Sequence, residues 1–369
     1  MHRIEKKKNH LVSKAVAIAT GGSHIGSGRI IKNNRKIINR ESVMEKHMKN
    51  NHSFIHSKSS NILNNDQLLL DLKEKYKKYP SKWSSQIKLI LVKDSKKLEE
   101  INKGRVSKVE SARMIIESGL KEVGLKNSDI VLVHADATPA MYLGDYEWWE
   151  DACELIKSCF LNVLGGSGTL IVPTFNWDFC NGKPYSHSTT ISKCGMFSNN
   201  ILFDSRSIRS FHPIYPFASI GPASGKLFNN ISKSSFGKGS VFERLHKINA
   251  KILFFNLNFG LCTFVHYLEQ KKGIRYRYLK EFTGLVEKNG KKYNDTFDFY
   301  VRYLDKKTTL DGRGFLYLTR LGKYMLSKGK INKTIMKNKY PIYLTDCNKV
   351  FLEVMSKLDV DPYYAVDCS

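Results

Sequence analysis

The stretch DIVLVH, Asp129–His134, decides the fold class. It is apolar without alternation and lies between turn signals, which is the pattern of a short strand buried on both faces. The stretches GTLIVPT, Gly168–Thr174, and AKILFFNL, Ala250–Leu257, show the same pattern, and helix-length segments separate the three. Strands that alternate with helices in this way predict an α/β fold, with a layered sheet flanked by helices on both faces.

The predicted helices are marked at their ends. Ser107 followed by Glu110 is a capping-box pattern, which opens a helix ahead of the first strand. The segment EWWEDACELIKSCFLNVLG, residues 147–165, is a second helix, stopped by its terminal glycine. Ser240 followed by Glu243 can cap a third helix, ahead of AKILFFNL.

The later part of the chain changes character. Asn289-Gly290, the strongest short hairpin signal, lies within FTGLVEKNGKKYNDTFDFYVRYL and predicts an antiparallel pair that extends the sheet. From about Gly312 the sequence predicts a helix, a strand near YPIYLT and a closing amphipathic helix, NKVFLEVMSKLDV. The expected fold is therefore a layered mixed β-sheet flanked by helices.

Charge and sequence pattern divide the chain near residue 104. Its 369 residues carry 60 Lys and Arg against 34 Asp and Glu, a formal charge of +26. Residues 1–60 are rich in Asn, Lys and Ser without apolar periodicity, so residues 1–104 are predicted to be a basic, partly disordered extension with some helix. The α/β domain is predicted over residues 105–369. Such an arm suits nucleic acid or an anionic membrane surface, but a solvated tail is the interpretation we favour, and no nucleic-acid partner is expected.

Several protein classes are disfavoured. No apolar run approaches the ~18 residues of a membrane span, and Lys14 interrupts the short apolar start that resembles an export signal. The seven cysteines are odd in number and contain no CxxC pair, which is typical of a reducing cytoplasm and predicts neither disulfides nor a metal site. TGGSHIGSG, Thr20–Gly28, mimics a dinucleotide fingerprint, but a polar arm follows it instead of further βαβ units.

Four short motifs occur in a fixed order at predicted strand ends and helix starts. They are LVHADAT (Leu132–Thr138), GGSGTLIVPTF (Gly165–Phe175), RSFHP (Arg209–Pro213) and CTFVHYLE (Cys262–Glu269), with GKGSVFERL (Gly237–Leu245) before the last. Together, over roughly residues 107–310, they resemble the aminoglycoside 3-N-acetyltransferase family. The resemblance implies a transferase that uses acetyl coenzyme A as acyl donor and an amine-bearing sugar as acceptor.

The central catalytic prediction concerns His266. An amine attacks a thioester only in its neutral form, so a base within hydrogen-bond reach must take its proton, and histidine suits this role. The resemblance assigns the base to the histidine of a Thr-x-x-His-x-x-Glu segment, which stands here as Thr263, His266 and Glu269. On a helix these three share one face. Direct transfer in a ternary complex is expected, with Thr263 bonding the thiolate or the tetrahedral oxyanion.

A carboxylate is expected on the other ring nitrogen of His266, where it fixes the tautomer. The resemblance places this group after a Tyr-Leu pair, so Asp305 is the first choice, and Glu269 is the nearer alternative. A purely structural pairing of Glu269 with His266 on a helix surface is the competing interpretation.

Acyl-coenzyme A contacts follow from the same resemblance. The RSxHP loop of the family lines the acyl-coenzyme A tunnel, which assigns Arg209, Ser210 and His212 to the cofactor. Ser240 opens a helix whose N–H groups can hold a phosphate, and a plain capping role is equally open.

The first core strand ends at His134 and Asp136, which are also predicted to bind coenzyme A. Ala135 stands where the family usually has serine, so one cofactor hydrogen bond is missing. Asp136 or Thr138 can compensate for it.

The acceptor is predicted from charge. Residues 101–369 alone carry 38 Lys and Arg minus 25 Asp and Glu, or +13, which repels polycationic aminoglycosides. An amino sugar joined to a nucleotide or lipid phosphate, or a natural product, is therefore the first choice, and aminoglycoside resistance the second. A non-catalytic protein that binds nucleic acid or a membrane surface through its basic arm is the third, and a homodimer is also anticipated.

Overall fold

A computed structural model describes residues 104, 106–146, 148–303 and 314–365. The predicted N-terminal extension and Asp305 lie outside the described residues, apart from Gly104. Within the described ranges, no helix is both long enough and apolar enough to span a bilayer.

The described elements follow the predicted alternation of strands and helices. The strands are β1 Ile130–Ala135, β2 Thr169–Pro173, β3 Tyr185–Ser186, β4 Ile208–Arg209, β5 Phe217–Ile220, β6 Lys251–Phe255, β7 Arg277–Lys288, β8 Lys291–Arg302, β9 Asn332–Met336 and β10 Tyr340–Asp346. The α-helices are α1 106–122, α2 Thr138–Gly144, α3 Trp149–Leu164, α4 Met196–Leu202, α5 Ser224–Phe228, α6 Val241–Lys247, α7 Phe264–Lys272, α8 Gly314–Ser327 and α9 Cys347–Val360. Short 3-10 helices lie at Phe179–Asn181 and Phe259–Leu261.

The central sheet has the strand order β4-β5-β2-β1-β6-β10-β9. The three predicted apolar strands form its parallel centre, since β1 pairs in parallel with both β2 and β6. Strands β5 and β10 pair antiparallel on either side of this centre. The sheet is therefore mixed, as predicted, and the carboxyl ends of β1, β2 and β6 meet at one edge.

The predicted hairpin forms, but it does not extend the central sheet. Asn289 and Gly290 take the left-handed conformation, with φ of 51° and 75°, between β7 and β8. The two strands pair along their full length and join β3 in a separate three-stranded sheet. The antiparallel extension of the central sheet comes from β10 and β9, so the expectation for the hairpin was wrong. Hairpin patterning specifies the pairing of its own two strands, but not the sheet they join.

Helices cover both faces of the central sheet, and side chains alternate between two apolar clusters. On β1, Val131 and Val133 face the cluster built with α1 and α3, whereas Leu132 faces the cluster built with α6, α7 and α9. This alternation follows from the two-residue period of a strand. Both faces are buried, as the unbroken apolar sequence of β1 requires.

The helix ends show one further departure from the predictions. Helix α1 is already formed at residue 106, so the Ser107 pattern does not open it. Helix α3 ends at Gly165, as predicted, with φ of 63°. Ser240 caps α6 and accepts a hydrogen bond of 3.3 Å from the Glu243 backbone N–H.

Candidate active site

His266 and Glu269 lie on α7, which follows β6 and a 3-10 turn at the carboxyl edge of the central sheet. Thr263 stands at the N-cap position of this helix, and its carbonyl accepts a 3.1 Å hydrogen bond from the His266 N–H. His266 is 6% exposed and Glu269 is 1% exposed. Burial of both side chains does not fit a pair on a helix surface.

Four side chains form a continuous polar group around the imidazole. His266 Nδ1 lies 2.7 Å from Glu269 Oε2, and Arg277 Nε lies 2.9 Å from the same oxygen. Arg277 Nη2 lies 3.0 Å from His266 Nδ1. The Tyr276 hydroxyl donates a 2.7 Å hydrogen bond to Glu269 Oε1. The buried carboxylate is thus held through both of its oxygens.

The surroundings of Glu269 and His266 shift the pKa of each side chain and so set its protonation state. Burial alone raises the pKa of Glu269, but the nearby Arg277 and His266 oppose it and lower that pKa to about 2. Burial and the adjacent Arg277 charge lower the pKa of His266, against the opposing pull of Glu269. At neutral pH the site therefore holds an ionised carboxylate and an uncharged imidazole.

Two polar atoms of the site have no partner within the described part of the chain. His266 Nε2 makes no hydrogen bond there, and the ring packs against Phe236 with centroids 5.5 Å apart. The Thr263 hydroxyl is buried and likewise lacks a hydrogen bond to a described residue. Asp305, the predicted partner of His266, lies outside the described residues, and the described carboxylate on Nδ1 is that of Glu269.

The RSFHP loop is held mainly by contacts within the protein. The Ser210 hydroxyl accepts a 2.8 Å hydrogen bond from the Phe217 N–H. His212 Nδ1 accepts from two backbone N–H groups, at 3.1 and 3.0 Å, and Nε2 donates to the Lys233 carbonyl at 3.2 Å. Burial lowers the pKa of His212 to about 3, so the ring is neutral. These contacts build the loop, and coenzyme A contacts by Ser210 and His212 stay predictions.

Arg209 keeps part of its guanidinium available. Nη1 donates to the carbonyls of His187 and Thr190, at 3.0 and 2.7 Å, and the group lies over the Tyr185 ring. Nε and Nη2 are buried without a hydrogen-bond partner among the residues that the structure describes. Buried donors of this kind are rare without a ligand or water to satisfy them.

His134 and Asp136, the two residues predicted at the end of β1, differ in how many hydrogen bonds they make to the described residues. His134 stacks on Phe254 with centroids 5.3 Å apart, burial lowers its pKa to about 4, and its Nε2 has no partner in the described ranges. Asp136 accepts hydrogen bonds from the Thr138 N–H and hydroxyl, at 3.0 and 2.7 Å, and from Asn256 at 2.8 Å. Asp136 therefore fastens the start of α2 to the end of β6.

Comparison with known proteins shows which family this chain resembles. A model of the family described as aminoglycoside 3-N-acetyltransferase matches residues 133–358, which include the end of β1, the RSFHP loop and α7.

The chain belongs to the aminoglycoside 3-N-acetyltransferase family.

Individual members of the aminoglycoside 3-N-acetyltransferase family are distant in sequence. The chain is 23% identical to aminoglycoside N(3)-acetyltransferase IX of Micromonospora chalcea over 204 residues, which is 49% of this chain and 69% of the relative. The fold is also that of aminoglycoside acetyltransferase AAC(3)-Xa, at 16% identity and a TM-score of 0.57 over 70% of this chain and 98% of the other. A structure described as AAC-IIIb binary with CoASH is 14% identical to the chain, with a TM-score of 0.56 over 67% of this chain and 96% of the other.

Membership in this family makes the chain an acetyl-coenzyme A dependent N-acetyltransferase. The buried polar atoms fit such a co-substrate. His134 Nε2, the Thr263 hydroxyl and two Arg209 nitrogens lack partners in the described part of the chain. His134 lies near the end of β1 and Thr263 follows β6, and these parallel strands end at one sheet edge, where ligands bind in open α/β folds. Coenzyme A offers amide and phosphate groups that these side chains can bind.

Two residues of the site were missed by the sequence predictions. Arg277 opens β7 and Tyr276 precedes it, and both side chains are buried against Glu269. Neither stands in one of the quoted motifs, and a hairpin strand with alternating exposure gives no sign of which end reaches a helix. The only available signal was two arginines in RYR, directly after a helix that carries the proposed base.

Proposed function

We propose that His266 is the general base in transfer of an acetyl group from acetyl coenzyme A to the amine of an amino sugar. The observation that carries this proposal is the 2.7 Å contact between His266 Nδ1 and the buried Glu269 carboxylate. An ionised carboxylate accepts a hydrogen bond from Nδ1–H, so the proton stays on Nδ1 and the lone pair is on Nε2. Nε2 has no hydrogen bond to a described residue, which leaves it for the acceptor amine.

The proposed reaction is direct transfer in a ternary complex. Acetyl coenzyme A supplies an activated acetyl carbon, and His266 Nε2 accepts the proton that the amine releases on attack. Glu269 stabilises the resulting imidazolium, as carboxylates do in His-based sites. The Thr263 hydroxyl, buried and without a described partner, is proposed to donate to the thioester as charge develops there.

The proposed coenzyme A contacts are those of Arg209 and His134, supported by their buried unpartnered nitrogens. Contacts by Asp136, Ser210, His212 and Ser240 remain predictions, because their described polar groups bind protein atoms. Asp305 as a second acid near His266, a homodimer and a cytoplasmic location are likewise predictions.

The first proposed acceptor is the 3-amino group of an aminoglycoside, which the family description and the Micromonospora chalcea relative support. An amino sugar that carries a nucleotide or lipid phosphate is the second. Residues 101–369 carry 38 Lys and Arg against 25 Asp and Glu. This surplus of positive charge favours an anionic acceptor and opposes a polycation.

A thiol-release assay with acetyl coenzyme A tests the proposal and separates the acceptors. The panel contains aminoglycosides and amino-sugar nucleotides, and products are identified by mass increase. His266→Gln should lower transfer by at least about a hundredfold, whereas His246→Gln, at a half-buried histidine of α6, serves as the matched control. Transfer by His266→Gln at the wild-type rate contradicts the role of His266. Release without an acetylated acceptor contradicts the transfer reaction.

A further inference from the structure

We propose that Arg277 is a positioning residue for His266, which holds the Glu269 carboxylate on Nδ1 and keeps a positive charge beside the ring so that the imidazole stays unprotonated. This inference rests on the proposed role of His266 as the base. No contact of Arg277 with the amine or the thioester is proposed. Its effect reaches the reaction through His266 and Glu269.

The geometry joins one guanidinium to both members of the pair. Arg277 Nε lies 2.9 Å from Glu269 Oε2, and Nη2 lies 3.0 Å from His266 Nδ1. Nη1 donates a 3.2 Å hydrogen bond to the Tyr300 carbonyl, which ties the group to β8. Arg277 itself is 5% exposed. A planar guanidinium held through Nε and Nη1 leaves the carboxylate little room to move.

Glu269 and Arg277 both approach Nδ1 of His266, and each forms a hydrogen bond with a different protonation state of that nitrogen. Nδ1 carries either a proton, which suits Glu269, or a lone pair, which suits Arg277. The contact with the ionised carboxylate is the shorter, 2.7 Å against 3.0 Å, and has the length of a charge-assisted hydrogen bond. Nδ1 therefore carries the proton, and Arg277 contributes its charge instead of a hydrogen bond to the ring.

Among the described residues, the charges that face His266 come from three elements. Glu269 on α7 is negative, Arg277 on β7 and Arg302 on β8 are positive, and Phe236 packs on the ring without charge. Tyr276 is engaged by Glu269 and stays protonated, because burial and that carboxylate raise its pKa. The Arg277 charge, 3.0 Å from Nδ1, opposes a further positive charge on the ring.

This arrangement serves both halves of the transfer. The new N–C bond forms as the C–S bond breaks, and the amine proton moves to His266 Nε2. The positive ring then faces Arg277, which makes it a stronger acid, and the proton can pass to the departing thiolate. Without Arg277, His266 of the free enzyme would stay protonated up to a higher pH than in the wild type. The protonated ring could not act as the base.

Titration of His266 by NMR in protein labelled with 15N-histidine tests the inference. The signals are assigned by comparison with His266→Gln, since the chain contains 11 histidines. Arg277→Met should raise the titration midpoint of His266 by about one pH unit or more, and Arg277→Lys should raise it less. Arg275→Met removes an exposed arginine of the same segment and should leave the midpoint unchanged.

The acidic limb of the kcat/KM profile should move with the midpoint, which a merely structural role would not produce. An unchanged midpoint in Arg277→Met overturns the inference. If that variant does not fold, Arg277→Lys decides, and a midpoint equal to that of the wild type then overturns it. The titration reads His266 whether or not transfer is detected, so failure with every acceptor contradicts the proposed function without bearing on Arg277.

Discussion

Replacement of Glu269 by glutamine tests how the buried charges of the site are balanced. The carboxylate is 1% exposed and contacts His266, Arg277 and Tyr276 at 2.7, 2.9 and 2.7 Å. Glutamine keeps the shape but removes the negative charge that offsets Arg277. Loss of one member of a buried ion pair costs about 3–5 kcal/mol in the free energy of unfolding.

The pKa of Glu269 gives an independent magnitude for the same change. Folding lowers this pKa from 4.5 to about 2, which at ~1.4 kcal/mol per unit corresponds to about 3 kcal/mol. Because the folded value lies below the unfolded one, this contribution is complete above the unfolded pKa and is lost as pH falls through the folded pKa. Between about pH 7 and about pH 3.5 the wild type should therefore lose part of its advantage in the free energy of unfolding over Glu269→Gln.

Urea unfolding followed by circular dichroism at these two pH values measures both effects. The free energy of unfolding of Glu269→Gln should be lower by about 3 kcal/mol near neutral pH, and the difference should narrow in acid. Glu281→Gln, at an exposed position on β7, should stay within about 0.5 kcal/mol of the wild type. A destabilisation below about 1 kcal/mol, or a difference that is independent of pH, would refute the balance between the Glu269 and Arg277 charges.

Three further substitutions separate roles in stability and catalysis. Thr263→Val should change the free energy of unfolding by less than about 1 kcal/mol, because the hydroxyl lacks a described partner. It should lower kcat at least about tenfold, because the proposed hydrogen bond to the thioester is lost. Ser240→Ala should cost about 1 kcal/mol through loss of the helix cap, and an unchanged KM for acetyl coenzyme A would assign Ser240 to capping alone. Gly221→Ala should cost more than about 1 kcal/mol in urea unfolding, because φ is +139° and the added Cβ would lie 2.4 Å from the Gly168 carbonyl oxygen.

The central layer of the fold could be predicted because its signal is local. Strand β1 is buried on both faces, so its residues must be apolar without alternation, and the same holds for β2 and β6. The two-residue strands β3 and β4 carry no such pattern, because two residues show no period. The sheet joined by the hairpin depends on pairing between β3 and β7, which lie far apart in sequence.

The site was predictable only where its residues follow one another on a single helix. Thr263, His266 and Glu269 are spaced three apart, so a helix brings them together by its own geometry. Arg277 reaches them from another element, and its approach depends on how β7 packs against α7. For His212 the motif predicts a cofactor contact, but both ring nitrogens form hydrogen bonds with backbone groups of the protein. A sequence motif does not distinguish a side chain that builds a loop from one that contacts a ligand.

The single-turnover rate of acetyl transfer by His266→Gln, with an accepted amino sugar, shows directly whether His266 is the general base. Enzyme is saturated with acetyl coenzyme A and mixed with the acceptor, and the acetylated product is measured over time. The rate should be lower by about a hundredfold to ten-thousandfold, with acetyl coenzyme A affinity within about threefold of the wild type. A variant that transfers acetyl at the wild-type rate would contradict the assignment of His266 as the base.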